Sequence, residues 1–268
     1  MIQLDIDKKA NFMKLPVDKF LEVIARAGTE IMKLSMKEDL KVTDKGGNDP
    51  LSEADLLAND ILSELKDLVP GSWFFSEENE DDLIRLEKEY VWIVDPIDGT
   101  REFVKQIPEY AISVSLVRRE KSLFSAVYNP NDSLEYQFNG TRGTLNKVEY
   151  DRVYKPTVCV SRSEWNKDFF KNLESELDLE VIGSIAYKLS LVAQKRHLGV
   201  ISLCPKNEWD IAGGVALIEA AGMVACDLYG RKFHFNRSDL AFGIIAGEED
   251  WVKEVLTKID LSKHFAKH

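Results

Sequence analysis

A chain of 268 residues that is 44% hydrophobic and 30% charged can bury one large core or two joined ones, which excludes a disordered or low-complexity protein. Its net charge of −11 argues against nucleic-acid polymers and anionic membranes as partners, because their phosphates are repelled unless metal ions or local cations intervene. The first ten residues carry acids and lysines without an apolar core segment, and no run approaches membrane-spanning length, so a cytoplasmic location is expected rather than export.

Phe20, Val23, Ile24, Ala27 and Ile31 share one face at helical spacing and predict a helix from about Val17 to Lys37. Lys45-Gly46-Gly47-Asn48-Asp49 reads as a Gly-rich turn, and a second helix is expected from about Ser52 to Leu68, with Asp55 in its first turn. A short apolar stretch, Trp73 to Phe75, precedes Ser76-Glu77-Glu78-Asn79, and an apolar strand runs through Trp92 into Asp95 and Asp98. Ile112, Val114 and Leu116 alternate with serines, and strands follow near Leu123–Tyr128 and Leu134–Phe138, an antiparallel meander expected to build the first sheet. The turn Asn139–Asn146 comes next.

Beyond about Tyr150–Lys155 the rhythm changes. A strand near Val158, helix Glu164–Leu177, strand near Val181, helix Ser184–His197, strand Gly199–Leu203, helix Trp209–Ala221 and strand Leu240–Ala246 are expected. This alternation predicts a layered α/β half after the antiparallel α+β half, with residues 1–150 and 151–268 as the two parts and the site between them. Cys159, Cys204 and Cys226 have no CxxC spacing and read as buried thiols. The four histidines lack paired spacing, and none is assigned to catalysis; His197 is expected to face the C-terminal dipole of its helix.

The chemistry concentrates in Trp92-Ile93-Val94-Asp95-Pro96-Ile97-Asp98-Gly99-Thr100. Two carboxylates three residues apart flank Pro96, whose ring fixes φ and leaves neighbouring carbonyls free to point at a cation. Hard oxygen ligands of this kind suit Mg²⁺. Gly99 lets the backbone approach an anion, and the amides of Gly99, Thr100 and Arg101 at a helix start supply donors for phosphate. The plain alternative is a turn, since Asp-Pro and Asp-Gly are common turn formers. Context favours the site: Glu77 lies upstream, and Glu208-Trp209-Asp210-Ile211-Ala212-Gly213-Gly214 opens an apolar helix downstream. Gly183-Ser184-Ile185-Ala186 is a further helix start where backbone donors can meet a ligand, with Ser184 as an N-cap.

In combination these segments resemble the inositol monophosphatase superfamily of Mg²⁺-dependent, lithium-sensitive phosphatases. Its signatures are a WxxDPxDGT loop, an upstream GEE-like acid and a downstream WD helix start, and the resemblance spans Ser52 to Gly222. It implies a layered αβαβα sugar-phosphatase-like fold and a homodimer. It further implies that Glu77, Asp95 and the Ile97 carbonyl hold one Mg²⁺, that Asp95, Asp98 and Asp210 hold a second, and that a third, looser ion leans on Glu77 and waters. Mn²⁺ would also be accepted by such donors. Thr100 with Asp55 would orient and deprotonate the attacking water; Gly99, Thr100, Arg101, Gly183, Ser184 and Asp210 would contact the substrate, and the Lys45–Asp49 loop would fold over the site. No covalent enzyme intermediate is implied.

Three departures bear on substrate. Ser76 stands where the family has Gly, tolerable unless the position needs positive φ. Leu203 stands where inositol-specific members place an acid for ring hydroxyls. Arg101-Glu102-Phe103, with Glu208 before Trp209, resembles 3'(2'),5'-bisphosphate nucleotidases. A second phosphate would call for a cation, for which Lys188, Lys195 and Lys206 are candidates against the ordinary reading of each as a solvated surface lysine. The leading expectation is hydrolysis of adenosine 3',5'-bisphosphate to AMP and phosphate. The same chemistry on an inositol or sugar phosphate follows, and then a non-catalytic metal- or phosphate-binding regulator.

Overall fold

The computed structural model describes residues 3–5, 14–37, 39–44, 46, 50–81, 83–132, 134–138, 154–238 and 241–259. The boundary expected at 150/151 and the Asn139–Asn146 turn lie outside the described residues, and of Lys45–Asp49 only Gly46 is described.

An antiparallel pair, β1 (Gln3–Asp5) and β2 (Lys14–Pro16), runs into α1 (Val17–Ser35). The expected apolar face of α1 is buried throughout, because Phe20, Val23, Ile24, Ala27, Ile31 and Leu34 repeat at the spacing of one helical stripe. A second pair, β3 (Val42–Asp44) and β4 (Pro50–Ser52), leads to α2 (Glu53–Leu62) and α3 (Leu65–Leu68). The single helix expected from Ser52 to Leu68 is therefore interrupted. The Ser63 hydroxyl donates to the Asp60 carbonyl (2.7 Å), a local bond that competes with continuation of the helix. The start of α2 is as expected, with Ser52 and Asp55 forming a reciprocal capping box.

The first sheet holds β5 (Trp73–Ser76), β6 (Tyr90–Asp98), β7 (Ala111–Arg118), β8 (Lys121–Tyr128) and β9 (Leu134–Phe138) in that order, with α4 (Thr100–Val104) between β6 and β7. The three-stranded meander is β7–β8–β9. The sheet is wider than expected because β6 pairs antiparallel with β7 and parallel with β5.

The second part runs β10 (Lys155–Ser161), α5 (Arg162–Trp165), β11 (Leu179–Ile182), α6 (Ile185–Ala193), β12 (His197–Ser202), α7 (Glu208–Ala220), β13 (Val224–Cys226), β14 (Ile244–Gly247) and α8 (Glu249–Lys258). Its sheet order is β11-β10-β12-β14-β13, parallel around β10 and antiparallel around β14. Two expectations fail here. The helix over Glu164–Leu177 stops at Trp165, since Asp168 takes a left-handed backbone (φ 61) that a continuous helix excludes, and the chain proceeds in turns. His197 does not end a helix; Lys195 is left-handed (φ 58), α6 is already over, and His197 opens β12, buried with Nδ1 3.0 Å from Thr157 Oγ1.

Alternation along the strands sorts the core into layers. On β6, Trp92 and Val94 pack with α1 and α2, where Phe20 meets Phe124 edge-on at 4.2 Å. Val91 and Ile93, on the other face, pack with Leu189, Ile211 and Val215 of α6 and α7. These two helices also cover Val200 and Ile244 of the second sheet, whose far face, Val160, Ile201 and Ile245, packs under Val252 and Val255 of α8. The result is the expected αβαβα stack, with α6 and α7 as the shared central layer. Both faces of each sheet are covered, so the serines that alternate along β7, Ser113 and Ser115, are buried as well as the apolar residues between them.

The central layer depends on close approach. A Cβ on Gly214 would lie 2.6 Å from Leu189 Cβ, and one on Gly213 would lie 2.7 Å from Ser113 Oγ. Gly214→Ala is expected to destabilise the protein by about 1–3 kcal/mol through overpacking between α6 and α7, read from the midpoint of urea unfolding.

Candidate active site

The ends of β5 and β6 and the turns before α6 and α7 converge on a cleft of about 400 Å³. On β6 the register with β7 shifts between Asp95 and Asp98, where Pro96 offers no amide to the ladder, so the strand bends and both carboxylates reach the cleft. Gly99 follows at φ 95, and a Cβ there would sit 3.0 Å from the Glu109 carbonyl. Gly99, Thr100 and Arg101 line the cleft at the opening of α4.

Asp95, Asp98 and Asp210 each bring a carboxylate oxygen within 4.8 Å of the others. Asp95 is buried, and its Oδ1 accepts the Ile97 amide at 3.0 Å. Asp98 Oδ2 accepts both the Ser184 hydroxyl and the Ala186 amide at 2.6 Å. Asp210 Oδ2 accepts the Asn207 amide at 2.8 Å, closing the capping box that starts α7. These bonds engage one oxygen of each acid.

Burial, reinforced by the charges of Glu77, Asp98, Asp210 and Asp55, holds Asp95 well above the usual carboxylate range. Burial raises Asp98 against the bonds from Ser184 and Ala186, and burial with the nearby Asp98 pushes Asp210 up to about 7. Anions crowded in this way are destabilised, and a divalent cation between them removes the cause. Glu77 lines the same cleft, its amide tied to the Val94 carbonyl at 3.2 Å. Ser76 ends β5 in ordinary register with Val94 and is not among the left-handed residues, so its side chain is accommodated where the family has glycine.

Thr100 Oγ1 lies 3.0 Å from both Asp55 Oδ1 and the Ile97 carbonyl, while Asp55 Oδ2 accepts the Ser52 amide at 2.8 Å and hydroxyl at 2.6 Å. The helix start at Ser184 has the expected N-cap, and its donors are taken up by acids of the protein. Its Oγ accepts the Tyr187 amide at 3.0 Å as an N-cap and donates to Asp98. The Gly183 amide donates instead to Glu109 Oε2 at 2.7 Å.

The candidate cations separate. Lys195 is exposed and pairs with Glu248 at 3.7 Å, outside the cleft. Lys206 lines the cleft and pairs with buried Glu164 at 3.3 Å, and Lys188 is buried rather than solvated. Arg162, which the sequence did not single out, also lines the cleft; it pairs with Glu102 at 3.3 Å and with Glu109. Those partners lie over fifty residues upstream, a separation at which sequence carries no pairing signal. Leu203 points into the core beside Val160 and Ile201, and Glu208 accepts from Arg85 at 3.1 Å and from the Arg237 amide at 2.7 Å; neither lines the cleft.

Residues 13–260 match the sequence model of the inositol monophosphatase family. The chain belongs to that family. Within the inositol monophosphatase family, the 3'(2'),5'-bisphosphate nucleotidase CysQ of Escherichia coli strain K12 is 27% identical over 231 residues, 82% of this chain and 94% of CysQ. The Nus factor SuhB of Vibrio cholerae is 29% identical over 251 residues, 87% of this chain and 91% of its own length. The crystal structure of the extragenic suppressor protein suhB from Bartonella henselae matches with a TM-score of 0.75 at 26% identity, covering 90% of this chain and 97% of that one. Among the described residues no helix is long and apolar enough to cross a membrane.

Proposed function

We propose that the protein is a Mg²⁺-dependent phosphomonoesterase acting on a small phosphorylated metabolite, namely a 3'(2'),5'-bisphosphate nucleotide such as adenosine 3',5'-bisphosphate. The observation that carries the reading is the meeting of Asp95, Asp98 and Asp210 within 4.8 Å beside the Thr100–Asp55 pair. An all-oxygen, strongly anionic donor set fits a hard divalent cation, Mg²⁺ or Mn²⁺. Glu77, Asp95 and the Ile97 carbonyl would hold one ion, Asp95, Asp98 and Asp210 a second, and Glu77 a looser third. Bound Mg²⁺ acidifies water and neutralises phosphoryl and leaving-group oxygens. The chain's own part is positioning and proton transfer. Thr100 Oγ1 holds the attacking water and passes its proton toward Asp55, and the amides of Gly99, Thr100 and Arg101 orient the phosphoryl group. In this reading residues 1–150 carry the metal loop and 151–268 supply Asp210 and the Gly183–Ser184 turn. A homodimer belongs to the same proposal.

The nucleotide is favoured by Arg101-Glu102-Phe103, by the CysQ relatives, and by Lys206 and Arg162 in the cleft, which suit a second anionic group. An inositol or sugar phosphate is the same chemistry with another leaving group. A non-catalytic regulator is supported by relatives named Nus factor at similar identity, and opposed by the retention of every acid together with Thr100 and Asp55.

Phosphate release is measured with Mg²⁺ and with EDTA from adenosine 3',5'-bisphosphate, inositol 1-phosphate and fructose 1,6-bisphosphate. The expected result is metal-dependent release that is strongest from the nucleotide. Preference for inositol phosphate overturns the nucleotide assignment and keeps the chemistry, and no metal-dependent release from any of the three revives the regulator reading. Lithium at millimolar concentration is expected to inhibit; insensitivity removes the third-ion site.

A further inference from the structure

Lys188 sits early in α6, is 2% exposed, and has no task in the mechanism above. Its ammonium carries three N–H donors. All three go to consecutive backbone carbonyls, Ile182 at 3.0 Å, Gly183 at 3.1 Å and Ser184 at 2.8 Å. These carbonyls belong to the turn that joins β11 to α6, where Ser184 takes a left-handed backbone (φ 50) that a residue with a side chain disfavours. Three carbonyl dipoles converging on one cation hold that turn closed. From its other side, Ser184 Oγ and the Ala186 amide both donate to Asp98 Oδ2 at 2.6 Å. One turn is therefore gripped at both ends, its acceptors gathered by Lys188 and its donors delivered to Asp98. A Cβ on Gly183 would lie 2.4 Å from Glu102 Cγ, so Glu102 packs directly against the turn.

We propose that Lys188 is a positioning residue for Asp98, holding the Gly183–Ser184 turn in the conformation that fixes the Asp98 carboxylate where it shares a cation with Asp95 and Asp210. The inference rests on the metal-site reading proposed above. It predicts that loss of the clamp frees the turn, lets Asp98 rotate and weakens the cation site while leaving the fold largely intact.

The test is Mn²⁺ binding to the full-length protein by calorimetry. Lys188→Met, which keeps the length of the side chain and removes all three donors, is expected to weaken Mn²⁺ binding by about 10- to 100-fold, as loss of groups that orient metal ligands does. Lys188→Gln retains two N–H donors without charge and is expected to fall between Met and wild type. Leu189→Ala, a neighbouring core position on α6 packed against Gly214 of α7, is expected to lower Tm without changing Mn²⁺ affinity. Wild-type affinity in Lys188→Met overturns the proposal, and so does tighter binding in both the Met and Gln variants, which is what loss of a positive charge beside a cation site gives by itself. Should Lys188→Met fail to fold, Lys188→Gln decides: weakened binding upholds the clamp and unchanged binding rejects it. Asp98→Asn separates the two levels. If wild type binds Mn²⁺ and Asp98→Asn abolishes this while Lys188→Met does not alter it, only the role of Lys188 falls; if wild type binds no Mn²⁺, the metal-site reading falls and this inference with it.

Discussion

Asp95→Asn is expected to lower Mg²⁺-dependent phosphate release by about 10³-fold or more, equivalent to about 4 kcal/mol of transition-state stabilisation, while raising the thermal stability of the metal-free protein. The two effects have one cause. Asp95 is buried at the centre of the cluster, with Glu77, Asp98, Asp210 and Asp55 all opposing its ionisation. Asparagine has no ionisation for burial and its acidic neighbours to oppose when no cation is present, and lacks the anionic donor needed when one is. The pH dependence follows from the same crowding. Folding holds Asp210 at about 7 against an ordinary 3.8, so the folded chain binds that proton more tightly than the unfolded one. The stability this contributes is fully present below the ordinary value and is lost as pH rises through about 7; Asp95 acts in the same direction. The metal-free protein is expected to melt lower at about pH 8 than at about pH 6, with Mg²⁺ raising Tm most at the higher pH. Scanning calorimetry of wild type and Asp95→Asn, with Mg²⁺ and with EDTA, reads both effects. A folded Asp95→Asn protein with undiminished turnover would sink the metal assignment.

What could be read from the chain beforehand was whatever its local pattern determines. The stripe Phe20, Val23, Ile24, Ala27 and Ile31 requires only helical geometry to become a buried face, and it did. The β6 segment ends in acids, proline and glycine because one strand must both fill the core between two helix layers and stop at a cleft; each requirement leaves its own residue types. The acid set was implied by the resemblance of its motifs to the family, and the fold supplies the local reason: Asp95 and Asp98 share one bend, and Asp55 and Asp210 each accept the N-cap amide of the helix that presents them.

Long-range pairing left no such mark. Nothing near Arg162 announces Glu102 or Glu109, and nothing near Glu164 announces the loop at Leu203 and Lys206 whose amides and ammonium it accepts. From sequence Lys188 reads as a candidate cation for a second phosphate against an ordinary solvated lysine; only the fold, by turning three carbonyls inward, makes burial of its ammonium tolerable. The Glu164–Leu177 helix failed for a related reason. Phe170 and Leu173 are buried, and with Asp168 left-handed the chain carries them there through turns rather than along one helix.

Thr100→Val is expected to reduce turnover by roughly 10²- to 10⁴-fold, the range of a lost proton-transfer group, and to leave the Mg²⁺-induced rise in Tm intact. Thr100 Oγ1 lies 3.0 Å from both Asp55 Oδ1 and the Ile97 carbonyl, and a hydroxyl has one proton, so it donates to one of them at a time. That leaves its oxygen able to accept from a water in the cleft while it donates to Asp55. Asp55 is fixed for the task by its role in α2, where Ser52 donates amide and hydroxyl to Oδ2 and leaves Oδ1 facing Thr100. Valine keeps the shape of threonine and removes the relay, at a structural cost of about 1 kcal/mol for the lost hydrogen bond. Thr100→Ser keeps the hydroxyl and is expected to retain most of the activity. Steady-state kinetics at saturating Mg²⁺, set beside the Tm shift, therefore separates this pair from the acids: Asp95→Asn loses turnover and metal stabilisation together, whereas Thr100→Val loses turnover alone. Full turnover in folded Thr100→Val would remove the Thr100–Asp55 pair from the reaction and leave activation of the water to the cation site by itself.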